Sequence, residues 1–423
     1  MPVRDAVTVP AGIAKEISAA GGRITFARFM KLALTHPIDG YYSRGEVRIG
    51  ARGDFSTAPS LSPEFCHTMA RLLGDLVEAA LRETEAGRVA LVELGAGEGD
   101  LARALLERWD TERPILRARL DYIIVETSSP LRERQEQVLS GAGERGWRVC
   151  WAADVDEALA SVAGGVVFGN EFLDALPVHV VDVGGEEPLE AWVELDGEDA
   201  KEVWGGPSTE ASEELLAAFG TSEGAELRAF SGDGIIELRP AVRSLVDRVA
   251  SDGCDVGLLT VDYGDWHIAP GARRLAAPGA GTRDLYGRTL RGYLKHQPVD
   301  DLYQYVGRQD LTADVDFRAL DAHGRRAGLE TVFYITLADM LRADSGAQRL
   351  AALREQAARA TEDALEADRQ ATVLEKLLDY NGLGGAFKVM LQVKGRKTAR
   401  YPCYSVSSVV LKKARSPETM SST

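Results

Sequence analysis

The sequence predicts an α/β protein built from parallel βαβ units, and two observations support this class. Short apolar runs alternate with helical patterns between residues 89 and 168, and the first run leads into a glycine-rich turn. Such alternation is typical of parallel strands joined by helices. The 423 residues suffice for one large α/β domain with additions, or for two or three structural units.

Composition and charge narrow the function classes. The chain has 49 Lys and Arg against 65 Asp and Glu, a formal net charge of −16. This balance argues against a nucleic-acid binder, because neutralising phosphates needs surplus cations, and it leaves room for a basic partner. No apolar stretch approaches the length of about 18 residues that a membrane span needs. The N-terminus has no apolar signal core, and the scattered cysteines lack zinc spacing. We therefore expect a cytoplasmic protein without a membrane span or metal site.

The elements before the glycine-rich turn are predicted to be helical. Residues 24–34 place apolar side chains at helical spacing on one face, and residues 64–85 predict another helix. The predicted strands that follow are Val89–Leu94, Tyr122–Val125, Val149–Ala152, Val166–Phe168, Leu258–Val261 and Ala386–Val393. The predicted helices between and after them are Leu101–Trp109, Pro130–Leu139 and a long charged stretch at 339–378, read as one helix or two.

These patterns divide the chain into seven predicted segments. They are an N-terminal helical and loop segment that covers substrate and cofactor (1–85), the first half of the core (86–181), an α+β insertion (182–250), a core strand (251–266), substrate-side loops and a helix (267–330), the C-terminal part of the core with a long helical insertion (331–395) and a tail (396–423).

The glycine-rich turn VELGAGEGD is the most informative segment. A buried strand runs into Glu93, then Gly95, Gly97 and Gly99, then a helix. Glycines here permit a positive φ and let the backbone approach a ligand closely. An NAD-binding turn needs GxGxxG, but the third glycine comes one residue earlier here, and Asp100 fills the sixth place. Two carboxylates around the turn would meet a pyrophosphate unfavourably and suit a ligand with a cationic end.

S-adenosyl-L-methionine (SAM) is such a ligand, since it carries a sulfonium and an ammonium but no phosphate. Glu93 could bind the ammonium, directly or through water. Glu126, at the end of the second strand, could bind both ribose hydroxyls, and Asp154, after the third strand, could bind the adenine amino group. Glu126 would also suit the ribose of NAD, so the GxGxG spacing and Glu93 are the features that favour SAM over NAD.

A second polar cluster, GNEFLDALPVHV, follows the fourth strand at residues 169–180. Ligands of doubly wound sheets bind outside the carboxyl ends of the strands. Asn170, Glu171, Asp174 and His179 therefore fall where a methyl group would be delivered. The structural alternatives are a helix cap for Asp174 and an ordinary strand position for His179.

With these residues together, the sequence resembles the MidA-like family of SAM-dependent methyltransferases, which includes a mitochondrial arginine methyltransferase. The resemblance runs from about residue 13 to residue 395. Its motifs are Pro37–Tyr42, Gly53–Pro59 (GDFSTAP), Glu93–Gly99, Glu126 with Ser129–Arg132 and Gln135, Asn170–Val178 (NEFLDALPV), Asp262–Gly264, Thr289–Tyr293 with His296, and Gln309–Phe317. It implies a Rossmann-like class I SAM-dependent methyltransferase sheet with an N-terminal helical segment and an inserted α+β cap.

The resemblance also implies site residues and an acceptor. The implied cofactor-binding residues are Asp54, Thr57, Pro59, Glu93, Gly95, Gly97, Gly99, Glu126, Thr127, Asp154, Asn170 and Glu171. The implied acceptor is a protein or peptide that presents a basic side chain, foremost arginine. Glu171 and Asp174 are the candidates to bind its guanidinium beside Asn170, with Asp54 and Asp262 as further acids. His179 or His296 could accept a proton.

Departures from the family pattern leave the acceptor open. Ser60 stands where a Glu is usual, Cys66 replaces a usual Gly, and the usual Gln is missing near 334–340. One alternative is N- or O-methylation of a peptide natural product or small molecule. Another is an assembly factor that binds SAM without catalysis, and an NAD oxidoreductase is a more distant one. A homodimer is a further expectation.

Overall fold

The structure of the chain is a computed structural model. It describes residues 8–45, 62–84, 87–160, 162, 164–219, 234–251, 255–266, 289–295, 297–359 and 363–394. The predicted site residues Asp54, Thr57, Pro59 and His296 lie outside the described residues.

The described helices, numbered in chain order, are α1 (Ala11–Ala19), α2 (Phe26–Thr35), α3 (Pro63–Glu83), α4 (Asp100–Glu112), α5 (Leu116–Arg119), α6 (Ser129–Val138), α7 (Val155–Leu159), α8 (Thr209–Phe219), α9 (Pro240–Val249), α10 (Phe317–Arg326), α11 (Leu337–Ala343), α12 (Gly346–Ala357), α13 (Ala364–Leu378) and α14 (Leu383–Ala386).

The described strands are β1 (Arg23–Thr25), β2 (Val89–Leu94), β3 (Leu120–Val125), β4 (Arg148–Ala152), β5 (Gly164–Asn170), β6 (His179–Asp182), β7 (Leu189–Asp196), β8 (Asp199–Gly205), β9 (Ile235–Leu238), β10 (Asp255–Asp265), β11 (Arg291–Leu294), β12 (Gln297–Val299), β13 (Asp310–Thr312), β14 (Val315–Asp316), β15 (Leu329–Thr336) and β16 (Phe387–Lys394).

The main sheet confirms the predicted fold class. Its strand order is β15-β16-β10-β5-β2-β3-β4, and β14 pairs with β10. The strands from β10 to β4 are parallel, whereas β16 runs antiparallel to both of its neighbours. The connections therefore bring the carboxyl ends of β2, β3, β5 and β10 to one edge of the sheet, where ligands of such sheets bind.

Side chains of the central strands alternate between two hydrophobic layers, as a strand period of two requires. Leu91 packs in the layer with α3, α4, α11 and α13, and its neighbour Val92 packs in the opposite layer with α7, α9 and α10. Both faces of β2 and β5 are consequently covered, which is why these strands are continuous apolar runs in the sequence.

A smaller antiparallel sheet joins the N-terminal segment to the predicted insertion. Its order is β1-β7-β6-β9, with β8 paired to β7. Helices α1 and α2 pack against it, and Phe26, Phe29 and Met30 are fully buried there. A third sheet, β12-β11-β13, follows.

Two local predictions are wrong in detail. Residues 23–25 form a strand, so the helix predicted over 24–34 begins only at Phe26. The Thr25 hydroxyl accepts a hydrogen bond from Arg28 N at 3.2 Å and caps that helix, which ends the strand. The charged stretch at 339–378 forms neither one helix nor two, because α11, α12 and α13 share it. The division into seven segments stays a prediction, and α9, at the end of the predicted insertion, packs on the main sheet.

Candidate functional site

The glycine-rich turn adopts the backbone that its glycines allow. Gly95, Gly97 and Gly99 have φ of 64°, 57° and 89°, in the left-handed region that other residues rarely adopt. Gly95 N donates to Val125 O at 3.1 Å, which ties the turn to the neighbouring strand. Gly99 begins α4. The turn therefore brings backbone atoms and a helix start to the carboxyl edge of the main sheet.

Glu93 is a buried acid at the end of β2. Only 3% of the residue is exposed, and Tyr122 donates its hydroxyl hydrogen to Glu93 Oε2 at 2.7 Å. Burial raises the pKa of the Glu93 carboxyl to about 7, although the Tyr122 hydrogen bond lowers it. A cation bound beside Glu93 would favour the charged form. The residue is thus suited to an ammonium group.

Glu126 lies in a network centred on Gln135. Ser128 N donates to Glu126 Oε1 at 2.8 Å, and Gln135 Nε2 donates to Glu126 Oε2 at 3.0 Å. The same Nε2 donates to Gly97 O at 2.8 Å, while Gln135 Oε1 accepts from Trp151 at 2.9 Å. Burial raises the pKa of Glu126. Gln135 therefore holds this acid at a fixed place relative to the glycine turn.

The NEFLD segment places polar groups beyond β5. Asn170 Oδ1 is buried and accepts no hydrogen bond from the described residues, and Asn170 Nδ2 donates to Glu171 Oε1 at 3.2 Å. Glu171 has a φ of 53°, a costly conformation for this residue type. Its N–H donates to Val261 O at 2.9 Å and fixes the bend. Strain of this kind concentrates at functional sites.

Asp174 and Asp262 form a buried acidic pair behind this bend. Asp262 Oδ2 accepts from Leu173 N at 2.9 Å and from Asp174 N at 3.2 Å. Asp174 Oδ2 accepts from the Tyr263 hydroxyl, while Asp174 Oδ1 is buried and has no donor among the described residues. Burial raises the pKa of both carboxyls, and the nearby charge of Asp174 raises the pKa of Asp262 further.

A cavity of about 1620 Å³ joins these groups. It is lined from the main sheet and from the smaller sheet with its helices. The predicted site residues that line it are Glu93, Gly95, Gly97, Glu126, Thr127, Asn170, Glu171, Asp174 and His179. Gly99 is not part of the lining and packs against Gln135. Asp154 is exposed, is absent from the lining and caps α7 by accepting from Glu157 N at 2.8 Å. Its adenine-binding role stays a prediction.

His179 is held between two carboxylates. Its Nδ1 lies 2.6 Å from Glu190 Oε1, and its Nε2 lies 3.3 Å from Glu210 Oε2. Glu190 is fully buried, so the imidazole and the Ser208 N–H, which donates to Glu190 Oε2 at 2.5 Å, are the polar partners that this carboxylate needs. Because both ring nitrogens are engaged, the unpartnered oxygen of Asp174 is a better proton acceptor than His179.

Sequence reasoning missed three supports of the site. It did not pair Tyr122 with Glu93 or assign Gln135 a role, and it took Asp262 as a further acid for the guanidinium rather than as the acceptor of the Leu173 and Asp174 N–H groups. Gln135 belongs to one of the motifs that carry the family resemblance, and that motif could have indicated a role for it. The Tyr122 contact depends on the register in which Glu93 lies opposite Ile124, and the sequence does not contain that register.

The residues present fit SAM. The left-handed glycine turn offers close backbone approach, Glu93 an anion for the ammonium and Glu126 two oxygens for ribose hydroxyls. The buried Asn170 Oδ1, which has no donor among the described residues, offers a further acceptor. When bound, SAM supplies an electrophilic methyl group on a sulfonium. Fold and site together define a methyltransferase that uses SAM.

Comparisons with known proteins identify the family. A family model of SAM-dependent methyltransferases matches residues 72–335. The mitochondrial protein arginine methyltransferase NDUFAF7 of Rattus norvegicus is 30% identical over 338 residues, which cover 74% of this chain and 69% of that protein. Its Caenorhabditis elegans homologue is 30% identical over 324 residues, covering 70% and 67%. The chain belongs to the MidA-like SAM-dependent methyltransferases, as its motifs predict.

A solved structure agrees. A protein of Burkholderia thailandensis, crystallised with S-adenosyl-homocysteine, is 30% identical, with a TM-score of 0.69 over 90% of this chain and 91% of that chain. The class I methyltransferase fold and the SAM cofactor are thereby confirmed.

Further predictions concern membranes, metals and assembly. Among the described residues, no helix combines the length and apolar character that a membrane crossing requires. The described part of the chain also holds no group of three His, Cys, Asp or Glu side chains placed for a metal ion. The cytoplasmic location and the homodimer stay predictions.

The raised pKa of Glu93 predicts a pH-dependent cofactor affinity. Below its pKa of about 7 the carboxyl is neutral and cannot pair with the ammonium of S-adenosyl-homocysteine. Between about pH 7.5 and about pH 6 we expect the affinity to fall roughly five- to tenfold, because binding must then ionise the acid. Isothermal titration calorimetry measures this. In Glu93→Gln the affinity should be lower throughout and lose this fall, and a wild-type affinity constant across that range would contradict the assignment.

Proposed function

We propose that the chain is a protein arginine N-methyltransferase. The observation that carries the proposal is Asp174, which lines the cavity and whose Oδ1 is buried with no donor among the described residues. A guanidinium presents several N–H donors in a planar fork that suits carboxylates. The relatives named protein arginine methyltransferase support the same acceptor.

Asp174 serves two needs of an arginine acceptor. The guanidinium is a poor nucleophile while its charge is delocalised, and it must lose a proton when its nitrogen gains a methyl group. A carboxylate that binds one nitrogen localises the charge and can accept that proton. Burial raises the pKa of Asp174, which brings it closer to neutral pH, where a general base is most effective. Glu171, beside it in the cavity lining, can hold a second guanidinium nitrogen.

The second candidate is methylation of a peptide natural product or small molecule. The cavity volume of about 1620 Å³ exceeds what SAM alone would fill, and a free peptide or small molecule could use the remaining space. The acidic groups Glu171 and Asp174 favour a cationic acceptor in either case.

Methyl transfer into a cell lysate tests the proposal. The enzyme is incubated with lysate proteins and small molecules and with SAM that carries an isotope-labelled methyl group. We expect labelled methylarginine in digested protein, identified by tandem mass spectrometry, and none when S-adenosyl-homocysteine is in excess. Label on lysine, on carboxyl groups or only in the small-molecule fraction would overturn the arginine assignment, and the last result would establish the second candidate.

A further inference from the structure

The wall of the cavity that β1 and α2 form carries cations. Arg23, Arg28 and Lys31 line the cavity from β1 and α2, and all three are exposed. Arg28 and Lys31 are three residues apart on one face of α2, with Thr35 a further turn along the same face.

The cations on this wall are available to a ligand. No hydrogen bond or ion pair joins the Lys31 ammonium to another described residue. Arg28 pairs with Glu16 at 3.1 Å, but both side chains are about half exposed, at 52% and 45%. A pair of that kind contributes about 0–1 kcal/mol, so Arg28 can exchange Glu16 for another carboxylate. Arg23 lies 4.8 Å over the Trp192 ring, which fixes its position.

Two further acids line the cavity, and each has a polar partner of its own. Glu210 also lines the cavity, but it faces His179 at 3.3 Å. Asp310, a further lining acid, is buried and accepts from the Tyr42 hydroxyl at 3.0 Å. The wall formed by Arg23, Arg28 and Lys31 therefore still offers cationic groups to whatever extends past the acidic cluster.

We propose that Arg28 and Lys31 bind an acidic side chain of the acceptor, close in sequence to the methylated arginine. This inference rests on the proposed arginine methylation. The arginine enters the acidic cluster at Glu171 and Asp174, and the neighbouring Asp or Glu of the same segment meets α2 in the same cavity. The enzyme thereby selects arginines in an acidic context, and basic neighbours are repelled by the same cations.

The carboxylate of SAM is the competing source of the same chemistry. One carboxylate needs one cationic partner, whereas this wall offers three cations in addition to the backbone groups of the glycine turn. The surplus favours an acceptor that brings its own acid.

A peptide series with labelled SAM tests the proposal. Short peptides carry one arginine in a Gly and Ser background, with a single Glu or a single Lys moved through each flanking position. We expect kcat/KM to be about two- to fivefold higher for Glu than for Lys at one position or more, the range of an exposed ion pair. Lys31→Glu should remove or reverse that preference. Lys15→Glu, the same change at an exposed position outside the cavity lining, should keep it.

The possible outcomes distinguish a failure of this inference from a failure of the proposed arginine methylation. Arginine methylation with equal rates for Glu and Lys peptides would overturn the inference alone, as would an acid preference that Lys31→Glu leaves intact. Calorimetry with S-adenosyl-homocysteine adds a second readout. If Lys31→Glu weakened its binding and left the peptide preference unchanged, the cations would serve the cofactor and the inference would be wrong. If arginine were methylated in neither peptides nor lysate proteins, both proposals would fail.

Discussion

Asp174→Asn should lower kcat for methyl transfer by about 10²- to 10⁴-fold, the range associated with loss of a general base, while the affinity for S-adenosyl-homocysteine stays near that of the wild type. The amide has the same shape, and its oxygen can still accept the hydrogen bond from Tyr263. It cannot take a proton or neutralise a guanidinium, and those are the two properties that the proposed role requires. Stopped-time assays with labelled SAM measure the rate, and calorimetry measures the cofactor affinity.

Asp310→Asn is the matched control for that variant. Asp310 is also buried, lines the same cavity and accepts a hydrogen bond from a tyrosine hydroxyl, that of Tyr42. Its substitution should cost less than about tenfold in kcat, because it loses charge in the cavity without losing the proposed base. If Asp174→Asn retained a rate within that same range, the carboxylate would have no catalytic role, and the proton would have to leave by another route.

The main sheet could be predicted because its signal is local. The strands β2 and β5 are covered on both faces, so each appears in the sequence as an unbroken apolar run, and the glycine turn marks where one of them meets a helix. The acids Glu93 and Glu126 were assigned to the cofactor because they stand directly at strand ends. The structure places both at the same cavity.

The supports of the site depend on contacts between distant residues, which periodicity does not contain. Tyr122 reaches Glu93 only through the register of two parallel strands, and Tyr263 reaches Asp174 across 89 positions of the chain. The strand β1 was missed because its last two residues read as the start of a helix, and it is a strand only through its pairing with β7. Tertiary pairing overrode a local pattern there.

The distribution of charged groups around the cavity could not be predicted from the sequence either. From the sequence, the overall acidity leaves room for a basic partner, and Glu171 and Asp174 are the acids expected to bind it. The structure adds that cations of α2 line the same cavity as these acids. The net charge of the whole chain sums the acids and the cations, so only the structure shows where each group lies.

Gly95→Ala should lower kcat/KM by about 10²-fold, because a displaced turn misplaces the groups that position the cofactor. The residue has a φ of 64°, and an added Cβ would lie 2.9 Å from Phe172 Cδ2, closer than such contacts allow. Phe172 belongs to the NEFLD segment and lines the cavity. The methyl group would therefore push the glycine turn and the acceptor segment apart. Activity assays and calorimetry with S-adenosyl-homocysteine measure the loss.

Gly87→Ala separates this effect from the cost of backbone strain. Gly87 has a φ of 71°, but an added Cβ there would meet no atom within 4 Å. Both variants should lose roughly 1–2 kcal/mol in the free energy of unfolding, since each forces alanine into a left-handed conformation. In addition to this loss of stability, only Gly95→Ala should lose cofactor affinity and activity. Equal activity in the two variants would mean that the close contact between Gly95 and Phe172 does not shape the site, and that the glycine is required there for its backbone conformation alone.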